Sequence, residues 1–298
     1  MNLKRRNLLQ LSLGALAATA LPLRVRAQPP GVSVIDAGGS NVVVCETSDG
    51  LVLVDSGARD HGDMLMGRLD ALGNGRVHTL FNTHWHPEQM GANDRIGANG
   101  AAIIAHQKTW QRVSTQYYLP HEARYIEPLP EAARPTQKFA GSGSVTIGDE
   151  TIDYGALVLP HTDADIYVYF RNANVLAVGG AVTPPGIDPE LDWYGGGWIG
   201  GRAQSMDTLL ALANDDTLIV PAAGRAMTKA ELQSERDMTH ELYERLNTLI
   251  RKGCSASCME QEGALAGLGR TWQDPQRFLY AAYKGLWAHH YNLAPDIL

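Results

Sequence analysis

The sequence is short of cysteine, of phenylalanine and of positive charge, and beyond its first 27 residues it has no long apolar run. Three cysteines occur in 298 residues, Cys45, Cys254 and Cys258. The lack of a Cys-x-x-Cys pair among them argues against a structural zinc knuckle. Cys254 and Cys258 lie four apart, so on a helix they share a face and a strained bridge is possible. Cys45 sits in an apolar strand and reads as a buried thiol. Lys and Arg total 25 against 32 Asp and Glu, a net charge of −7. That acidic balance argues against nucleic acid or an anionic membrane as a partner. No internal repeat of solenoid length is present. Gly195-Gly196-Gly197 and Gly200-Gly201 lack the Lys and Ser/Thr of a phosphate-binding loop. Asp55-Ser56-Gly57 is not a Gly-x-Ser-x-Gly nucleophile elbow.

What is present suits a globular α/β protein. Hydrophobic residues make up 44% of the chain and charged ones 19%, enough to build a core, and 31 glycines favour a loop-rich architecture. The first 27 residues read differently. Lys4-Arg5-Arg6 precedes an apolar stretch from Leu8 to about Leu23, and Val25-Arg26-Ala27 ends it with the small residues a signal peptidase reads. The stretch is too short to span a bilayer. A cleaved signal of twin-arginine (Tat) type is expected, with the Tat export machinery as a transient partner and a periplasmic or secreted product. Removing its five basic residues takes the net charge to −12. The mature chain, 28–298, reads as one domain with no linker, soluble and without membrane attachment.

Strand patterns at 41–46 and 51–55 flank a Thr-Ser-Asp-Gly turn, a hairpin signal. A helix is predicted over 61–73, ending at Gly73, then a strand over 77–86, a short strand over 101–106 and a helix over 107–118. Residues 118–138, rich in Pro and acid, read as a long surface connection. Strands resume over 143–159 and 164–182, then a Gly/Trp-rich loop, a helix over 203–214 and a strand near 217–224. Helical periodicity covers 228–252 and 275–291, the second stretch a helical tail. Two strand clusters, each followed by helices, pack most simply as facing sheets with helices outside.

The chemistry lies in "THWHPEQMGAN", residues 83–93. On a strand, residues two apart point the same way, so His84 and His86 can aim at one point. Catalytic zinc takes three protein ligands at about 2.0–2.1 Å and keeps an open position. The third candidate is His161 in "VLPHTDAD". His61, His78, His240, His289 and His290 read as structural. His106 could touch the ligands from behind, and His121 could reach the site from the Pro-rich loop.

"LVLVDSG", "THWHPEQMGAN", "LPHTDAD", "NVLAVGG" and "LIVPAAG", in this order, resemble the metallo-β-lactamase-fold hydrolase superfamily. The resemblance implies an αββα sandwich of two mixed sheets flanked by helices. It is similar in particular to exported members with a Trp/Gly-rich loop and a helical tail. The family pattern is His-x-His-x-Asp-His, then His, a bridging Asp and a last His, around two metals. Position by position, His84, His86 and His161 match the first-site histidines and Asp55 matches an Asp behind them. Glu88 stands for the Asp, Gln89 for the fourth His, Gly180 for the bridging Asp and Ala223 for the last His. Gly180 and Ala223 have no ligating atom and Gln89 offers only an amide.

The expectation is therefore one tightly bound zinc and a weak or absent second, with Asp163, Asp165 or His121 able to rescue it. Zinc can acidify a water enough for attack on an ester, amide, lactam or thioester-like bond, with Glu88 as the catalytic residue that takes a proton or orients the water. Asp55 and Asp165 would orient the imidazoles, and Trp193, Tyr194 and Trp198 could line a pocket for a small-molecule substrate. The alternative is a non-catalytic periplasmic metal- or ligand-binding accessory protein that keeps the fold.

Overall fold

The computed structural model describes residues 28–72, 75–119 and 123–290. The signal segment 1–27, Gly73 and His121 lie outside them. The chain opens with β1 (Val32–Asp36), β2 (Asn41–Thr47), β3 (Gly50–Val54), α1 (Gly62–Asp70), β4 (Val77–Asn82), α2 (Asn93–Ala98), β5 (Ala102–His106) and α3 (Gln107–Ser114). Next come β6 (Tyr117–Leu119), β7 (Arg124–Ile126), β8 (Gln137–Phe139), β9 (Ser142–Ile147), β10 (Glu150–Ala156), β11 (Ile166–Phe170) and β12 (Val175–Gly179). The remainder is α4 (Ile199–Leu212), β13 (Leu218–Pro221), α5 (Lys229–Arg251), α6 (Ala256–Gln261) and α7 (Pro275–His290).

Two mixed sheets result. The first has the order β1-β2-β3-β4-β5-β8 and the second β13-β12-β11-β10-β9. β1, β2 and β3 pair antiparallel, and β4, β5 and β8 add in parallel. The second sheet is antiparallel except where β13 joins β12 in parallel. The strands alternate between two apolar layers, as a period of two requires when both faces are covered. In β2, Val43 and Cys45 face the layer between the sheets, while Val42 and Val44 face α1 and α2. In β12, Val175 and Ala177 face inward, and Leu176 and Val178 face α4. This is the αββα sandwich expected, and Cys45 is a buried free thiol in its middle layer.

Two expectations need correction. Residues 118–138 are not a plain connection: β6 and β7 pair as a separate two-stranded hairpin, and a short 3-10 turn follows at Glu131–Ala133. Its aromatic and β-branched residues support pairing that the Pro and acid content obscured. The second concerns β4, which ends at Asn82, so His84 and His86 lie in the loop beyond it and not on the strand.

The tail forms its own apolar cluster, in which α5, α6 and α7 pack Leu242, Leu246, Met259, Phe278 and Leu286 around Leu191 of the loop after β12. Cys254 and Cys258 are bridged at the start of α6. Among the described residues, no helix is long and apolar enough to cross a membrane.

Candidate metal centre

The loop after β4 is fixed from behind. Asp55, at the end of β3, adopts a left-handed φ of 62°, which is strained for a residue other than glycine. Its carboxylate accepts from Thr83 N and from Thr83 Oγ1, both at 2.7 Å. Thr83 Oγ1 has spent its proton on Asp55, so at 2.9 Å it accepts from His84 Nδ1. Burial pushes Asp55 up to about 7, against the pull of the Thr83 hydrogen bonds. Thr83 O also accepts from Ile166 N at the start of β11, which ties the loop to the second sheet.

His161 comes from the turn between β10 and β11, a turn closed on one carboxylate. Thr162 N, Thr162 Oγ1 and His161 N donate to Asp165 Oδ2, while Asp165 Oδ1 lies 3.4 Å from His161 Nδ1 and 3.9 Å from His84 Nδ1. His86 is held from a third direction, its Nε2 3.1 Å from Asp192 Oδ2.

The three rings meet nearly edge-on, with centroids 4.7–4.9 Å apart, and one ligating nitrogen from each lies within 4.8 Å of the others. Each ring has one nitrogen taken by a protein oxygen. That leaves His84 Nε2, His86 Nδ1 and His161 Nε2 for a cation, which is how metal-ligating histidines are oriented in general. The donor set fits a zinc-like ion. His84 is pushed well below its ordinary value, by burial first and then by the neighbouring imidazoles, so it is neutral and able to ligate. His161 is raised to about 10, because Asp165 and Glu190 outweigh its burial. The acids around His161 thus favour positive charge there, which a proton or a metal can supply.

The other expected residues divide. Glu88 sits in the short turn Pro87–Gln89, half exposed, with Oε1 3.7 Å from His86 Nδ1, so it faces the open nitrogen. Gln89 is buried, donates to Ser40 Oγ at 3.1 Å, rests against His84 and leaves Oε1 without a partner of hydrogen-bond geometry. Asp165 stands beside His84 and His161, and Asp55 acts on His84 through Thr83. A Cβ at Gly180 would overlap the His161 ring at Nδ1, so the space for a side chain there is already filled. Asp163 is occupied elsewhere, accepting from Trp85 Nε1 and Arg112 Nη2, both at 3.1 Å.

Two placements differ from expectation. Trp198 does not line the cavity beside the trio. It stacks on His289 with centroids 4.3 Å apart and belongs to the tail cluster. His106 does not touch the trio; its Nδ1 accepts from Lys108 N and caps α3.

Sequence reasoning missed Glu190 and Asp192. They occupy alternate positions in "DPELDW", and that pair of acids inside a Pro/Gly-rich loop was the available signal. Asp192 holds His86 and accepts from Gly195 N at 2.7 Å. Glu190 Oε2 lies 3.9 Å from His161 Nε2, and His161 holds the carboxyl down at about 2.

The trio opens at His86 onto a cavity of about 760 Å³, walled by Trp85, Tyr117, Trp193, Tyr194, Phe278 and Tyr280. Trp193 and Tyr194 are thus among its lining residues. The hairpin β6–β7 and helix α7 both supply lining residues.

A family model described as the metallo-beta-lactamase superfamily matches residues 35–224. No curated protein matches the chain. Among solved structures, a metallo-beta-lactamase from Pontibacter korlensis aligns with a TM-score of 0.53 at 17% identity, over 70% of this chain and 93% of that one. The stereoselective inverting sec-alkylsulfatase Pisa1 from Pseudomonas sp. aligns with a TM-score of 0.61 at 13% identity, over 89% of this chain and 50% of that one. The chain thus spans about half the length of the sulfatase. DIM-1 metallo-beta-lactamase aligns with a TM-score of 0.54 at 16% identity, over 70% and 92%.

Proposed function

The chain belongs to the metallo-beta-lactamase superfamily, and from that premise we propose that it is an exported zinc-dependent hydrolase acting on a small molecule with an apolar body. The observation that carries the reading is the trio. Three imidazoles converge, each with its outer nitrogen held by a protein oxygen, at the edge of an aromatic-walled cavity. His84, His86 and His161 would hold one zinc ion tightly. Bound there, zinc would supply an acidified water and Lewis acidity toward an ester, amide, lactam or thioester-like linkage.

The protein's own residues do the rest. Trp85, Tyr117, Trp193 and Tyr194 bind the apolar body and exclude water from it. Glu88, half exposed beside His86 Nδ1, is placed to accept a proton. Its orientation favours catalysis over accessory binding, since a mere ligand carrier needs no carboxylate at the open face. The first 27 residues support export to the periplasm or beyond, with the Tat machinery as partner.

The test is metal stoichiometry on the mature chain purified without added metal, beside a His84→Ala/His86→Ala control, followed by ester, lactam and thioester substrates. One zinc per chain, lost in the control, with chelator-sensitive hydrolysis of one class, is the expected result. Zinc binding with no turnover on any class would favour the accessory role, and no binding after zinc is supplied would overturn the reading.

A further inference from the structure

We propose that Glu190 is a further protein ligand of the metal centre, supplying the carboxylate that Gly180 cannot. The inference rests on the reading that the histidine trio binds a metal. Its basis is where the two nearest carboxylates lie once the outer nitrogens have been assigned. Among the described residues, Glu88 faces His86 Nδ1 at 3.7 Å and Glu190 faces His161 Nε2 at 3.9 Å. Both nitrogens are the free ones. Two zinc ligands at about 2.0–2.1 Å lie roughly 3.3 Å apart, so Glu190 Oε2 stands only about half an ångström beyond that spacing from His161 Nε2. Zinc accepts five ligands as well as four, so a fourth protein ligand still admits water.

The approach to His161 from the other side is closed, because Gly180 lies against Nδ1 with no room for a side chain. A carboxylate can therefore reach this imidazole's free nitrogen from the loop after β12, not from the end of the strand. That loop is built to present one. Asp188, two residues before Glu190, accepts from Gln273 N and Asp274 N at the head of α7. Asp192, two residues after it, holds His86. Pro189 and Leu191, its direct neighbours, are buried, Leu191 in the tail cluster. With both flanks fixed, Glu190 has its backbone position set and its side chain turned to the trio. Its other oxygen, Oε1, lies 3.4 Å from Arg277 Nη2 of α7, so the helical tail helps aim the carboxylate.

The bland alternative is an exposed acid drawn to a charged imidazole. The two differ in what a bound metal reports. On the mature chain, Glu190→Gln and the His84→Ala/His86→Ala control, zinc affinity is measured by competition with a chromophoric chelator, and the visible spectrum is recorded after cobalt(II) loading. Glu190→Gln keeps size and shape at a half-exposed site, so the fold is retained, and circular dichroism checks it.

The expected result is zinc affinity reduced by at least about 10-fold, the lower end of what partners around a metal site cost, together with a changed cobalt spectrum. Unchanged affinity in Glu190→Gln, with binding abolished in the control, overturns the inference and leaves the trio intact. Weakened affinity with an unchanged cobalt spectrum also overturns it, because it makes Glu190 a charge neighbour and not a ligand. No metal binding by the unmutated chain would instead sink the trio reading, and Glu190 with it.

Discussion

Asp192 and Gly180 show how single residues set this centre. Asp192 takes His86 Nε2 and so decides that Nδ1 faces inward. Asp192→Asn keeps the size but weakens the acceptor, and zinc affinity should fall about 10–100-fold, as for other outer partners of metal sites. Chelator competition measures it. Gly180→Ala adds one methyl group where the His161 ring already sits. It should displace the ring and lower zinc affinity by a similar factor while the unmetallated protein stays folded. Affinity equal to that of the unmutated chain would show that the ring has room to move. The histidines were legible in the sequence because His-x-His and a later His are local patterns. Their second nitrogens were legible only in part: Thr83 adjoins His84 and Asp165 lies four residues from His161, but Asp192 reaches His86 from 106 residues away.

Helix α5 illustrates the scale of an element. Thr228 Oγ1 accepts from Glu231 N, and Glu231 returns a bond to Thr228 N, a complete capping box. Thr228→Ala should cost about 0.5–2 kcal/mol, read in chemical denaturation. Burial alone would raise Glu231, but Arg225 and Thr228 outweigh it and hold the carboxyl below its ordinary 4.5. A lowered acid stabilises the fold above its unfolded value and loses that contribution as pH falls through its folded value. The stability gap between the protein and Glu231→Gln should therefore be full above pH 4.5 and close below it. At the start of α6, the Cys254–Cys258 bridge closes a short loop. Its reduction should cost roughly 2 kcal/mol by loop-closure entropy, seen as a lower melting temperature in reductant. The cysteine spacing was visible in the sequence. The end of β4 was not, because strand pairing with β5 stops at Asn82 and neither Gly nor Pro marks that point in the sequence.

Over the whole molecule, the tail and the centre are one construction. Arg270, just before α7, pairs with Glu235 of α5, both buried, and donates to the carbonyls of Thr183 and Ile187 in the site loop. Arg202 of α4, fully buried, donates to Gly180 O and Thr183 Oγ1 at 2.8 Å. Arg270→Ala leaves Glu235 buried without its partner and should destabilise the protein by about 3–5 kcal/mol. It should also free the loop that carries Glu190 and Asp192, so zinc affinity should fall with stability. Loss of stability with unchanged zinc affinity would separate the tail from the centre. A bound metal should itself stabilise the fold, by about 2.7 kcal/mol at a hundredfold excess over its dissociation constant, and a chelator should remove that increment.

By itself the sequence determined the two-layer alternation of the strands, the order of the main strands and helices, and the three histidines, since each is written in residues close together along the chain. Only the tertiary structure decided which nitrogen of each ring is free, that Gly180 is closed to a side chain, that Trp198 belongs to the tail, and that Glu190 faces the centre. Those outcomes join segments as far apart as Asp55 and Thr83, His86 and Asp192, or Glu190 and Arg277. The physical reason is one of range: hydrophobic period and turn chemistry act between neighbours, whereas a metal site is assembled by whichever distant loops the packed core brings together.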